Sequence, residues 1–366
     1  MVRAHSLALI LSLGVASVSA HQEPKTEAEI ETQRALQRAA YYCAPAVGEF
    51  TAQRKRAWQQ QVLSGLPLNQ AAFAPSIPSA GNPSLPTNDE LFASETYEST
   101  STSPGKQELL SCNVVEEETE MQNNTCHPVV TEGPYYHKSG HPIRQNIAEY
   151  QIGLLTYLDI GVIDVNTCEP LPNVLVDIWL ANATGHYAGH PDPAPELVDE
   201  KPQVGGKRNG LLSAFPRTNF HEQWLRGAWA TDSHGVARFT TIFPGYYTGR
   251  ATHVHTKVFT SWTENPNGTF EEGKLAHVGQ FFFEDDLNMQ IDKMYPYVEN
   301  PIRDIRGRTR NWRDSLNIFE DSHGPEGEYN PVFKMHLLGG VLNQGLVGFI
   351  TMGINASNEL DNWWKG

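Results

Sequence analysis

From about Cys126 onward the chain runs in short stretches that alternate apolar and polar residues between turn signals, and this period of two most constrains its fold. Leu158, Ile160 and Val162 alternate with Asp159 and Gly161, while Val174, Val176, Ile178 and Leu180 share a face opposite Asp177 and Trp179. Pro172-Asn173 and Asn182-Ala183-Thr184-Gly185 bracket the second run as turns. Further strands are expected at 236–243, 252–260, 278–284, 332–338 and 346–353, with a helix or long loop at 287–316. The 30 glycines and 24 prolines, against 19% charged residues, agree with strands and loops rather than a helical bundle. The expected class is mainly β: a β-sandwich core of mixed short strands with an N-terminal helical segment and a Pro/Ser-rich arm.

Residues 1–20 read as a secretory signal peptide. Arg3 supplies the positive start, Leu7 to Val18 is apolar, and Val18-Ser19-Ala20 offers a small-residue cleavage site. The apolar stretch falls short of the ~20 residues that span a bilayer, so no membrane contact is expected of the mature form. Residues 21–73 form a helical segment, with Ile30, Leu36, Ala39 and Ala40 at roughly helical spacing and an end near Gly65. Residues 74–108 read as a Pro/Ser/Thr-rich linker carrying Pro75, Pro78, Pro83, Pro86 and Pro104. Residues 109–357 hold the sandwich domain, and 358–366 are a polar tail without a glycolipid-anchor signal. Cys43, Cys112, Cys126 and Cys168 allow two disulfides in three connectivities, and N-x-[ST] sequons begin at Asn123, Asn182, Asn267 and Asn355. The expectation is a secreted, extracellular glycoprotein. Its net charge of −15 disfavours nucleic acid as a partner.

The densest chemical signal is Phe243-Pro-Gly-Tyr-Tyr-Thr-Gly-Arg-Ala-Thr-His-Val-His255. On a strand, His253 and His255 project from one face and can reach one metal ion, although an H-x-H pair alone also suits a solvated strand. Tyr246, Tyr247 and Arg250 lie just upstream, and Tyr187 follows another strand and turn. A phenol ionises near pH 10, so only a strongly Lewis-acidic ion holds it deprotonated at neutral pH. Two tyrosinates with two neutral histidines suit ferric iron, because with one hydroxide the three anions cancel its charge.

Three segments together resemble the intradiol ring-cleavage dioxygenases, nearest the secreted fungal branch. They are Thr131-Glu-Gly-Pro-Tyr-Tyr136, the Asp177-Ile-Trp to Gly-His-Tyr187 stretch, and Pro244-Gly-Tyr-Tyr247-Thr-Gly-Arg250-Ala-Thr-His253-Val-His255. The resemblance spans roughly 126–355 and implies Fe(III) held by Tyr187, Tyr247, His253 and His255. Tyr247 is taken as the ligand rather than Tyr246 because the family's ligand lies three positions after the proline, here Pro244. The resemblance puts Arg250 and Gln280 beside the substrate and has Gly133, Pro134 and Tyr135 line its mouth. It implies a catechol-type substrate and O2, with the diol displacing Tyr247 and the ring cleaved between its hydroxylated carbons to a muconate-type diacid. A homodimer is compatible with it.

Two other functions fit less of the sequence. A cupin-like metal enzyme would use His253 and His255 with a third histidine and a carboxylate. A noncatalytic β-sandwich binding module would not need the Tyr/His set. Most of His186, His190, His221, His234 and His277 are expected to be solvated loop residues, and His186 or His190, which flank Tyr187, could reach the pocket rim. His21, which would become the mature N-terminus, is read as incidental.

Overall fold

The computed structural model describes residues 26–63, 130, 132–137, 140–190, 221–304, 306–316, 318–319 and 330–360. The signal segment, His21, the linker, Cys112, Cys126, Asn123 and Thr131 lie outside them, as does most of the tail. The described strands are β1 (Leu155–Asp164), β2 (Leu175–Leu180), β3 (Arg226–Ala230), β4 (Val236–Ile242), β5 (His253–Phe259), β6 (Trp262–Glu264), β7 (Phe270–Glu272), β8 (Leu275–Phe282), β9 (Lys334–Leu337) and β10 (Leu346–Ile354). The α-helices whose bounds lie among the described residues are α1 (Glu27–Leu63) and α2 (Asp285–Ile291). The fold is mainly β.

Two four-stranded sheets carry the core, ordered β4-β1-β10-β9 and β3-β2-β5-β8, with β6 and β7 as a separate hairpin. β1 and β10 pair in parallel, and the other ladders are antiparallel. Leu158, Ile160 and Val162 of β1 and Ile350 and Met352 of β10 meet Val176 and Ile178 of β2 and Val254 and Val258 of β5. This is the inner face that the alternation marks, and its burial is the main driving force for the sandwich. Seven strands lie where the sequence places them. β3, β6 and β7 had no expectation, because they are too short for a period to be read.

The outer faces are covered too, which is why Asp159 and Asp177 are fully buried. Over the first sheet lies the second half of α1. Cys43, Val47, Phe50, Arg54 and Trp58 recur at helical spacing on its buried side. Gly161 of β1 makes room for this helix, since a Cβ there would sit 2.6 Å from both Phe50 Cε1 and Arg54 Nη1. Arg54 Nη1 donates to Asp159 Oδ1 at 2.8 Å and Nη2 donates to Thr351 Oγ1 at 2.7 Å. Trp58 Nε1 and Arg238 Nε each donate to Asp159 Oδ2 at 2.8 Å. A disulfide between Cys43 and Cys168 ties the helix to the turn after β1. The sequence reading sets this segment apart from the sandwich, whereas here its second half is packed against the first sheet. Among the described residues no helix is long and apolar enough to cross a membrane.

The sequons differ in access. Asn182 is buried, with Nδ2 donating to Gln151 Oε1 at 3.1 Å and Oδ1 accepting from Thr184 and His186. Asn267 is exposed in the β6–β7 turn. Glycan added along a eukaryotic secretory route will map to Asn267 and not to Asn182 in peptide mass spectra. Asp159→Asn, which strands Arg54 between the sheet and α1, will cost about 3–5 kcal/mol in urea unfolding. A loss under about 1 kcal/mol would show that the buried charges do not hold α1 in place.

Candidate metal centre

β5 begins at the end of the loop that follows β4, and its outward face places His253 and His255 one pleat apart. Tyr187 comes from the loop after β2, and Tyr247 from the loop between β4 and β5. The two loops are bonded to each other, with Gly245 N donating to Asn182 O at 3.0 Å. Gly185, at φ +85°, lets them close, because a side chain there would strike the Tyr246 carbonyl.

The four side chains converge. His253 Nε2 lies 3.4 Å from Tyr187 Oη, 3.3 Å from Tyr247 Oη and 3.1 Å from His255 Nε2. All four residues are at most 3% exposed. His253 Nδ1 is 2.6 Å from Ala251 O, which can only accept, so Nδ1 carries the proton and Nε2 of the neutral ring presents a lone pair. Burial, reinforced by Arg250, pushes the His253 pKa well below the usual range. Burial does the same to His255, with His253 and Arg250 adding to it. One lone pair faces three neighbours and can accept from only one at a time, so hydrogen bonding does not satisfy the cluster. His255 Nδ1 and Gln280 Nε2 are buried without a hydrogen-bond partner among the described residues. Donors sharing a first-row ion at about 2.0–2.2 Å sit roughly 3 Å apart, so the donor set fits a metal.

Burial pushes the Tyr187 phenol well above its ordinary pKa and raises that of Tyr247 as well, with Arg250 opposing both shifts. Without a cation both phenols stay protonated. Each nitrogen of the Arg250 guanidinium is engaged: Nε donates to Asp314 Oδ1 and Oδ2 at 3.0 Å, Nη1 to Tyr247 Oη at 3.2 Å, and Nη2 to Gln280 Oε1. Burial alone would lower its pKa, but Asp314, Tyr247 and Tyr187 outweigh that and hold it above the ordinary value.

The mouth loop is fixed from below. Glu132 pairs with buried Lys257 of β5 at 2.7 Å, and the Lys257 ammonium sits 3.4 Å from the Tyr136 ring centroid. Glu132 thereby anchors Gly133, Pro134 and Tyr135. Gly133 lies beside His255, Pro134 is half-buried, and Tyr135 stacks on Tyr187 with ring centroids 4.4 Å apart. Trp179 stacks on His255 at 4.8 Å. Arg226 Nη2 donates to Ala188 O at 2.8 Å, which steadies the Tyr187 loop. Gln280 pairs with His255 across β5 and β8. Tyr187, Tyr247, Arg250, His253, His255 and Gln280 therefore lie in one cluster, with the Gly133-Pro134-Tyr135 loop against it. Tyr246 packs beneath Arg308 at 4.3 Å, outside the donor set.

Several residues of the site were not anticipated. Lys257 and Asp177 had a signal, since a charge among apolar strand residues, two positions from the H-x-H pair or from Trp179, marks the same face. Asp314 had none, lying 64 positions from Arg250. The cupin-like alternative needs a carboxylate and a third histidine, and no group of three or more His, Cys, Asp or Glu able to hold a metal occurs among the described residues. A groove of about 530 Å³ beside β9, lined by Leu287, Phe333 and Met335 among others, contains none of the site residues.

No family profile matches the chain, and no curated protein matches it. Among solved structures it is similar to an intradiol ring-cleavage dioxygenase from Tetranychus urticae, at 26% identity over 65% of this chain and 98% of that one, TM-score 0.48. It is also similar to the dioxygenase domain of a dioxygenase carbohydrate-binding protein fusion from Streptomyces sp. SirexAA-E, at 20% identity over 61% and 94%, TM-score 0.35. Catechol 1,2-dioxygenase from Pseudomonas arvilla C-1 is similar at 17% identity over 62% and 61%, TM-score 0.35.

Burial lowers the pKa of His137 to about 3, His190 to about 3 and His277 to about 4, from 6.5. These rings are neutral in the fold and charge on unfolding, so their contribution is complete above pH 6.5 and is lost as pH falls toward 3. The thermal midpoint of the metal-free protein will fall steadily from pH 7 to pH 4. A flat profile would contradict the neutral, buried histidines.

Proposed function

We propose that the chain is a secreted intradiol dioxygenase that uses Fe(III) to cleave catechol-type rings. The convergence of Tyr187, Tyr247, His253 and His255 on one point carries this reading. Two phenols and two imidazoles form a hard, doubly anionic donor set that matches a trivalent ion better than a divalent one. The sequence resemblance supplies the reaction class. The Cys43–Cys168 disulfide supports the secreted location, since such bonds persist in oxidising compartments.

When bound, ferric iron supplies the Lewis acidity that keeps both phenols deprotonated and makes a chelated diol reactive toward O2. The chain's residues divide the remaining work. Tyr187 is clamped, stacked under Tyr135 and held through Ala188 O. Among the described residues Tyr247 meets Tyr135, Tyr187 and His253 edge-on, without a stacked partner, and its oxygen accepts from Arg250 Nη1. By the sequence resemblance, Tyr247 would be the donor that gives way to a diol and takes up a hydroxyl proton, a role that its raised pKa suits. Arg250 stabilises the negative charge that develops beside it. Gln280 Nε2 is a donor available to a substrate oxygen. Tyr135 closes one wall against water. Both atoms of O2 end in the diacid, so no external reductant is needed.

Oxygen uptake and product analysis with a panel of catechol, hydroxyquinol and protocatechuate will show stoichiometric formation of muconate-type diacids. Tyr247→Phe will lower kcat by at least 100-fold, because it removes the base. Unchanged turnover in that variant would remove Tyr247 from the mechanism.

A further inference from the structure

The loop that carries Tyr247 and Arg250 is held from outside by the irregular segment between α2 and residue 316. Tyr297 Oη donates to Phe243 O at 2.7 Å, and Asn300 Nδ2 donates to Tyr246 O at 2.7 Å. Arg308, paired with Asp292 at 2.5 Å, donates to Thr252 Oγ1 at 2.5 Å. Ser315 N donates to Gly249 O at 2.8 Å. These four tethers hold backbone or flanking side chains and leave the reactive groups alone.

The fifth tether is different. Asp314 accepts Arg250 Nε on both carboxylate oxygens at 3.0 Å, and its Oδ2 also accepts from Ala251 N at 2.8 Å. Its Oδ1 further accepts from Leu316 N at 3.1 Å, which fixes the carboxylate plane. Asp314 is 2% exposed. A carboxylate holding the Nε edge of a planar guanidinium leaves the opposite edge a single direction, and that edge meets Tyr247 Oη and Gln280 Oε1. The pair is also neutral, so Arg250 does not bring an uncompensated positive charge beside a cation site.

We propose that Asp314 is a positioning residue for ring cleavage: it aims the Arg250 guanidinium at Tyr247 and Gln280 and cancels its charge. This rests on the roles given above to Tyr247 and Arg250. Asp314 touches neither donor oxygen; it acts on Tyr247 and Gln280 through Arg250, while its bond to Ala251 N, which the asparagine variant can keep, holds the backbone behind His253.

Asp314→Asn keeps the shape and removes the charge. Crystal structures of the metal-free wild type and this variant will show Arg250 turned away from Tyr247 and Gln280 in the variant alone. With iron bound, kcat will fall at least 10-fold while KM changes less than 3-fold, and the visible tyrosinate band will shift. Asp292→Asn, which loosens the same segment without touching Arg250, will lower the thermal midpoint and leave kcat within 2-fold. Arg250→Gln/Asp314→Asn carries neither charge and folds even if Asp314→Asn alone does not, and its kcat will equal that of Arg250→Gln. An unmoved Arg250 in Asp314→Asn, or a further 10-fold loss in the double variant, would overturn the proposal. A wild type that cleaves no catechol would instead sink the dioxygenase reading, and the metal-free structures would still decide the role of Asp314.

Discussion

Four lone-pair donors are brought together where water cannot separate them, and the rest of the molecule follows from that constraint. His253 Nε2 has a phenol, a second phenol and a second imidazole nitrogen at 3.1–3.4 Å, in surroundings that keep both rings neutral and both phenols protonated. Left to itself such a cluster is frustrated, because several potential donors converge on the single lone pair of His253 Nε2. A polyvalent cation resolves it by replacing competing hydrogen bonds with shared coordination. Holding the donors ready costs stability, and the surrounding packing must offset that cost.

The offset comes in layers. The inner face of the β3-β2-β5-β8 sheet is apolar and belongs to the sandwich core. Its outer face carries His253, His255, Lys257, Asp177 and Trp179, and each meets a partner there. Trp179 stacks on His255, His141 Nδ1 lies 2.6 Å from Asp177 Oδ1, and Glu132 pairs with Lys257. Burial pushes the Asp177 carboxyl up to about 8, against the pull of Lys257 and Tyr136, so this layer is electrostatically taut. On the far side of the sandwich, α1 repeats the pattern with Arg54, Arg238 and Asp159. Both sheets thus bury charged pairs on their outer faces, and the site occupies the more crowded of the two.

Much of this was legible in the sequence, and the limits have physical causes. Period-two alternation exposes strands whose two faces differ, so β1, β2, β4, β5 and β10 were plain. β6 and β7 are three residues long and show no period. Of the four clustered donors, His253 and His255 could be read because H-x-H fixes two donors on one face, whereas Tyr187, and Tyr247 rather than Tyr246, followed only from the family resemblance. The packing of α1 could not be read. Asp159 and Gly161 look like ordinary solvent-facing residues of an alternating strand until a helix covers them. Asp314 was hidden for the same reason, since its meaning lies in a contact across 64 residues and its own neighbourhood has no pattern. Local periodicity reports which side of an element is buried, but not what lies over a face that reads as polar.

The most direct test of the central claim is the metal content and visible absorption of the native protein, measured together. The account predicts about one iron per chain and a red-brown colour from phenolate-to-iron charge transfer, weakened in Tyr187→Phe without loss of the fold. A colourless protein with full iron occupancy, or native protein loaded with a divalent ion at this site in place of iron, would contradict it.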